Sequence, residues 1–271
     1  MSLLLRSIRL LCRPFVKLDA QLERRLTQKE REKNIKNAKQ IQRFAYANER
    51  DDFFTNISVI THAGGGLQGM SYLNCKEALP IYYENGNRVF EYDVEKSTDG
   101  YVLAHTDEKN PEGNLEGRFT PLLLAECLEF LQAHEDMRVI FDCKFEGLGA
   151  FANHVKELVK DEKALQRIII QVFNERDIVE VRKVYAFKLL YVCMYATNYA
   201  EAVQTCIKHH IGAVSVSVKA LDERPDWCVF EKNEICVFAY TVNTLKEYKK
   251  LKAQGITGAF SDFLYERDTE E

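Results

Sequence analysis

The stretch RIIIQVFNERDIVEVRKVYAFKLLYVCMY, residues 167–195, decides the fold. Two short apolar runs, 167–173 and 188–195, flank a charged helical pattern at 175–185. A helix between two such runs implies parallel strands covered by helices. Outward from this unit the alternation continues both ways. Further strand-like runs stand at 58–61, 89–94, 138–143, 212–218, 234–242 and 257–263. Helical patterns lie at 73–84, 121–134, 150–159, 199–209 and 245–253, while the short segment 221–232 carries Pro225 and marks its helix weakly. Eight strand runs separated in this way close naturally into an α/β fold, the (β/α)8 TIM barrel. A doubly wound open sheet is the competitor. The glycines of His62-Ala63-Gly64-Gly65-Gly66 lack the Gly-x-Gly-x-x-Gly spacing that a dinucleotide-binding version would show.

Composition agrees with one large domain: 271 residues with 46% hydrophobic content bury a core of barrel size. The net charge of -4 is unevenly placed, because residues 1–50 hold 13 Lys and Arg against 5 Asp and Glu, leaving 24 against 36 for the rest. The chain therefore divides into a basic helical N-terminal arm, 1–55, and a barrel, 56–271. A solvated extension or an oligomerisation arm is the plain reading of the first part. Leu4, Leu5, Ile8, Leu11 and Phe15 among arginines also suit peripheral contact with an anionic membrane. Arg6, Arg9 and Arg13 interrupt the apolar start, so neither a spanning helix nor a cleavable leader is expected. The acidic body and the lack of a recognition motif argue against nucleic acid. Eight cysteines, several inside apolar patterns and none in a Cys-x-x-Cys pair, read as reduced thiols of a cytoplasmic protein rather than a disulfide framework or a zinc ribbon. Oligomeric state stays open.

Barrel chemistry sits at the carboxyl ends of strands. His62 follows the first run there, Glu91 and Asp93 end the second, and Asp142 and Lys144 end the third. Alternate strand residues share a side, so Glu91 projects with Asp93 and Asp142 with Lys144. His105 comes a dozen residues after its strand. A three-residue hairpin loop at 98–100, with Gly100 at positive φ, places it opposite Asp93. Three carboxylates suit one hard divalent cation, Mg2+ or Ca2+, better than zinc. Such a cation, reinforced by Lys144, would neutralise charge developing on phosphorus, and two histidines would share the proton transfers of phosphodiester cleavage. Each residue also has a plainer reading. Asp142 and Lys144 make a reasonable rim ion pair, Glu91 and Asp93 could be strand-end charges, and His134, His154, His209 and His210 read as solvated or satisfied. Gln171, Tyr195 and Tyr240, at the ends of later strands, are candidates for the substrate side, with rim packing an equal reading for the tyrosines.

From 58 to 266 the chain resembles the glycerophosphodiester phosphodiesterases, within the barrel superfamily of phosphatidylinositol-specific phospholipase C. His62-Ala63-Gly64 is similar to the family's opening His-Arg-Gly, and Asn74 to Ala78 looks like its Asn-Thr-Leu-Glu-Ala. Glu91-x-Asp93, Asp99-Gly100 and His105 follow its Glu-Leu-Asp, Asp-Gly and His-Asp pattern. Thr241-Val242-Asn243 and Gly258 to Asp262 look like its closing motifs. The resemblance implies that His62 and His105 are acid and base, that Glu91 and Asp93 bind metal, and that Lys144 contacts phosphate. It further implies attack by a neighbouring glycerol hydroxyl, with a cyclic phosphate that water opens. Ala63 departs from the family's arginine, and Asp142 stands where many members carry glutamate. Asp142-x-Lys144 also looks like the related sphingomyelinase D enzymes, and bacterial members opening His-Ala-Gly-Gly are the nearest group. The loop 106–119 is too short for the insertion with which some members shape their pocket. The leading expectation is a metal-dependent hydrolase of small or lipid-derived glycerophosphodiesters. Its rivals are a phospholipase D-like lyase releasing cyclic phosphate from lysophospholipids and a barrel that binds phosphodiesters without turnover.

Overall fold

The computed structural model describes residues 52–98, 100–106, 117–193 and 199–269. The arm up to residue 51, with its expected helix and membrane contact, lies outside them, as do Asp99 and Tyr195. The strands are β1 (Val59–Thr61), β2 (Val89–Ser97), β3 (Gly100–Leu103), β4 (Arg138–Cys143), β5 (Ile168–Val172), β6 (Lys188–Val192), β7 (Ala213–Ser217), β8 (Cys236–Tyr240) and β9 (Gly258–Ser261). All but β3 are parallel, in the order β1-β9-β8-β7-β6-β5-β4-β2, and β1 pairs with β2 to close the barrel. All eight expected strand runs are therefore present. Closure also leaves no parallel edge exposed.

Flanking the strands are α1 (Asp52–Thr55), α2 (Ala78–Glu84), α3 (Leu124–Ala133), α4 (Leu148–Leu158), α5 (Glu162–Leu165), α6 (Glu175–Arg182), α7 (Tyr199–Lys208), α8 (Val218–Glu223), α9 (Cys228–Lys232) and α10 (Leu245–Ala253). Several start where the sequence supplies a side-chain oxygen. Asp161, Asn174, Ser217 and Thr244 cap α5, α6, α8 and α10 by accepting backbone N–H groups of the first turn. Two expected helices begin later than their periodicity suggests, α2 at Ala78 instead of 73 and α3 at Leu124 instead of 121. The reason is tertiary: Asn74 sits at φ 46, Cys75 bridges to Pro121, and the Leu122 N–H donates to the Asn74 carbonyl. The weakly marked segment 221–232 splits around Pro225 into α8 and α9.

Strand alternation separates two cores. Outward-facing side chains such as Phe90, Val139, Phe141 and Val214 pack against the helices. Inward-facing Ile60, Val89, Ile140, Ile169, Leu190, Phe238 and Phe260 fill the barrel. Phe54 of α1, the last part of the segment assigned to the arm, plugs the amino-terminal mouth with its ring 6.3 Å from Phe238. Two residues beyond each inward apolar position stand His62, Glu91, Asp142, Gln171, Val192, Tyr240 and Asp262. The same alternation that fills the barrel thus turns polar at its carboxyl end.

The β2–β3 hairpin corrects one expectation. Ser97 pairs with Gly100, so the connection is two residues, 98–99, rather than 98–100. Asp93 therefore faces Ala104, whose N–H donates to the Asp93 carbonyl at 3.1 Å, and His105 is one residue past the expected position. Gly100 does hold positive φ, at 138°. β3 ends at Leu103, and Thr106 is clamped by Glu95, which accepts from its N–H at 2.6 Å and its hydroxyl at 2.5 Å. Off the ladder, the His105 imidazole turns back to Asp93.

Candidate active site

The first imidazole is fixed from two directions. His62 follows β1 and opens a tight 3-10 turn, His62–Gly64, in which Ala63 holds φ 46° and gives its N–H to Glu91 Oε2 at 2.8 Å. Gly64 and Gly65 continue at φ 73° and 94°. A Cβ on Gly64 would lie 2.7 Å from the Tyr92 ring, and one on Gly65 2.5 Å from the Tyr82 ring. Both backbone angle and space demand glycine. Gly65→Ala is expected to destabilise the protein by about 2 kcal/mol or more, read as a lowered melting temperature. From the other side Asp262, just past β9, accepts from His62 Nδ1 at 2.7 Å. Asn243 orients Asp262: its Nδ2 donates to Asp262 Oδ2 at 2.7 Å, and its Oδ1 accepts from the Asp262 N–H at 2.8 Å.

Around this unit stand the acids. Glu91, Asp93 and Asp142 each offer an oxygen within 4.8 Å of the others'. Lys144 Nζ lies 2.8 Å from Asp93 Oδ1 and 2.5 Å from Asp142 Oδ2, and His105 Nδ1 is 3.5 Å from Asp93 Oδ1, an ion-pair separation too long for a good hydrogen bond. Asn74 holds Asp93 twice, donating from Nδ2 to its carboxylate at 3.3 Å and accepting its backbone N–H at 3.1 Å.

This crowding sets the electrostatics. Burial and the charge of Asp93 push Glu91 up to about 8, against the pull of His62. Burial also raises Asp142, with Lys144 opposing. Asp93 moves the other way: burial opposes its charge, but His105 and Lys144 hold it down at about 2. For His62, burial is outweighed by Asp262, Glu91 and Asp93, which raise it to about 9, and Asp93 raises His105. Lys144, though buried, is held charged by Asp93, Asp142 and Glu91. Four carboxylates, counting Asp262, thus face one ammonium and two imidazoles. Asp142 Oδ1 is buried without a hydrogen-bond partner. An acid trio in which burial and the charge of Asp93 raise Glu91 and Asp142, and in which one lone pair is left unmet, fits a hard divalent cation, with Glu91, Asp93 and Asp142 as the residues to hold it.

His62, Glu91, His105, Asp142 and Lys144 open into a cavity of about 260 Å³, lined also by Tyr72, Gln171, Phe173, Ser215 and Tyr240. Of the nine residues nominated from sequence, His62, Glu91, Asp93, His105, Asp142 and Lys144 come together, Gln171 and Tyr240 line the same cavity, and Tyr195 lies outside the described residues. A larger hollow of about 580 Å³ lies at the opposite rim. Three of its four cations are already engaged: Arg167 donates to the carbonyls of Leu131, His134 and Met137, while Arg138 and Lys188 lie over the Phe53 ring. Volume alone does not pick the site.

Sequence reading gave Asp262, Asn243 and Asn74 places in motifs but no roles, and it missed Tyr72. The Tyr72 ring centroid is 4.8 Å from that of His62 and 4.7 Å from that of His105. No periodicity marks that position, because a loop at left-handed φ delivers it.

No family model and no curated protein matches the chain. Solved structures do. The chain is similar to a phosphodiesterase of Oleispira antarctica in complex with the product sn-glycerol-3-phosphate (20% identity, TM-score 0.60, 79% of this chain and 95% of the other). It is also similar to the glycerophosphodiester phosphodiesterases of Thermotoga maritima (21%, 0.60, 76% and 95%) and Parabacteroides distasonis (18%, 0.59, 76% and 92%). At these identities the likeness is one of fold, and it spans nearly the whole of each of those chains.

Proposed function

We propose that this chain is a phosphodiesterase that, with Mg2+ or Ca2+ held by Glu91, Asp93 and Asp142, hydrolyses small or lipid-derived glycerophosphodiesters to glycerol phosphate and an alcohol. The observation that carries this reading is the convergence of two imidazoles, the carboxylates of Glu91 and Asp142 and one ammonium on a single cavity at the carboxyl end of the barrel, with Asp93 paired to that ammonium and grouped with the other two acids. That the same barrel appears in a phosphodiesterase solved with glycerol phosphate supports it.

A cation held by Glu91, Asp93 and Asp142 would supply charge neutralisation at the phosphoryl group. The chain's own groups do the rest. Lys144, held charged, adds to the positive field at phosphorus. His62 and His105 between them take a proton from the attacking hydroxyl and return one to the leaving oxygen. If a neighbouring glycerol hydroxyl attacks, the bond to the head group breaks as the cyclic diester forms. Water then opens the ring with the two proton roles reversed. Asp262 keeps His62 in one tautomer and orientation. We place this activity in the cytoplasm, where buried thiols such as Cys127 and Cys206 stay reduced.

A cation-supplemented screen over glycerophosphodiesters, lysophospholipids and glycerophosphate polymers, read by phosphorus NMR, tests the proposal. Glycerol phosphate as end product supports it, a cyclic phosphate that accumulates points to the lyase, and binding without turnover points to a non-catalytic barrel. As a finer check, Asp262→Asn should lower kcat by about 10- to 100-fold with little change in KM. It should also move the ionisation of His62 to lower pH, because Asp262 is among the groups that raise it.

A further inference from the structure

We infer that Tyr72 touches the substrate, its phenolic hydroxyl donating a hydrogen bond to a non-bridging oxygen of the phosphodiester. This rests on the phosphodiesterase reading above and adds to it a residue that neither the motifs nor the acid cluster supplies.

The first support is position. One ring contacts both imidazoles, edge-on to His62 and tilted against His105, and lines the cavity with them. If the two histidines take and give protons across one phosphorus, the group packed against both lies beside that phosphorus.

The second support is a count of donors. A diester phosphate presents two non-bridging oxygens, of which a cation meets one. Several protein donors beside the acids are already committed to carboxylates: Lys144 to Asp93 and Asp142, the Ala63 N–H to Glu91, and the Asn74 amide to Asp93. Ala63 brings no polar side chain. The Tyr72 hydroxyl makes no hydrogen bond to any described residue and is free to turn to a ligand. Burial and the charges of Asp262, Asp93 and Glu91 raise its pKa, which keeps it a neutral donor.

The third support is the backbone. Tyr72 sits at φ 58°, uncommon for a bulky residue, within a loop where Gln68 and Asn74 are left-handed as well. Asn74 ties this loop down by donating its N–H to the Ala63 carbonyl at 2.8 Å and accepting from Leu122 at 3.2 Å. The fold tolerates local strain here to hold one aromatic side chain against two histidines.

The test is Tyr72→Phe, which keeps both ring contacts and removes only the hydroxyl. Turnover of glycerophosphocholine and calorimetric binding of glycerol 3-phosphate are measured with Mg2+ or Ca2+ present, for wild type and variant. The expected result is a loss of about 10- to 100-fold in kcat/KM and a comparable loss of product affinity, the range for a hydrogen bond to a charged group, with an unchanged melting temperature. A variant equal to wild type in both measurements, beside an active wild type, overturns the inference and leaves Tyr72 a packing residue. Wild type that neither turns over diesters nor binds glycerol phosphate overturns the functional reading, and this inference with it.

Discussion

Replacing either histidine with alanine should reduce phosphodiester turnover by about 10²- to 10⁴-fold, the range for loss of a positioned proton-transfer group. His62→Ala removes a ring held by Asp262 at 2.7 Å, and His105→Ala one that faces Asp93 at 3.5 Å. Neither ring lies in the apolar filling of the barrel, so circular dichroism should show a preserved fold. The two losses should also fall far short of multiplying in the double variant, since both groups serve one transition state. Turnover near wild type in either single variant would remove that residue from the chemistry. Two effects that multiply fully would mean that the imidazoles act in separate processes.

Removing the cation should have an effect of similar size. A bound divalent ion contributes several kcal/mol of charge stabilisation to the transition state, so chelation is expected to lower turnover by about 10²- to 10⁴-fold and readdition to restore it. The metal-free protein carries a second signature. Glu91 has a folded pKa of about 8 and His62 one of about 9, both above their ordinary values of 4.5 and 6.5. In each case the folded state binds the proton more tightly than the unfolded state. Stability from that difference is complete below the ordinary value and is lost as pH rises through the folded one. Metal-free protein should therefore lose melting temperature between about pH 5 and pH 9. Asp93, held down at about 2, contributes nothing to that slope because its window lies in acid. Mg2+ or Ca2+ should flatten the decline by binding the carboxylate form. Glu91→Gln should also flatten it, while weakening cation binding. A melting temperature indifferent to both pH and cation across that window would contradict the charge arrangement.

The strands were legible because parallel barrel strands are buried on both faces and read as apolar runs, with the polar residues confined to their carboxyl ends. Alternation then gave the inward direction of Glu91, Asp93 and Asp142 without any knowledge of neighbouring strands. What escaped was set by contacts distant in sequence. The late start of α2 and the left-handed Tyr72 depend on Asn74 reaching Ala63, Asp93 and Leu122. Asp262 lies 200 residues from His62, and only closure of β9 onto β1 brings them together. His105 was assigned to Asp93 through a register one residue off. It reaches Asp93 all the same, because the chain leaves the ladder at Leu103 and Glu95 clamps Thr106. In that hairpin the sequence pointed to the right pair of residues by an incorrect path.

The central claim is that these side chains form one phosphodiester-cleaving centre. Phosphorus NMR of glycerophosphocholine incubated with the wild-type chain and Mg2+ or Ca2+ tests it most directly. The account predicts that the diester resonance gives way to that of glycerol phosphate, and that EDTA stops the conversion. A diester resonance that stays unchanged with either cation would contradict it.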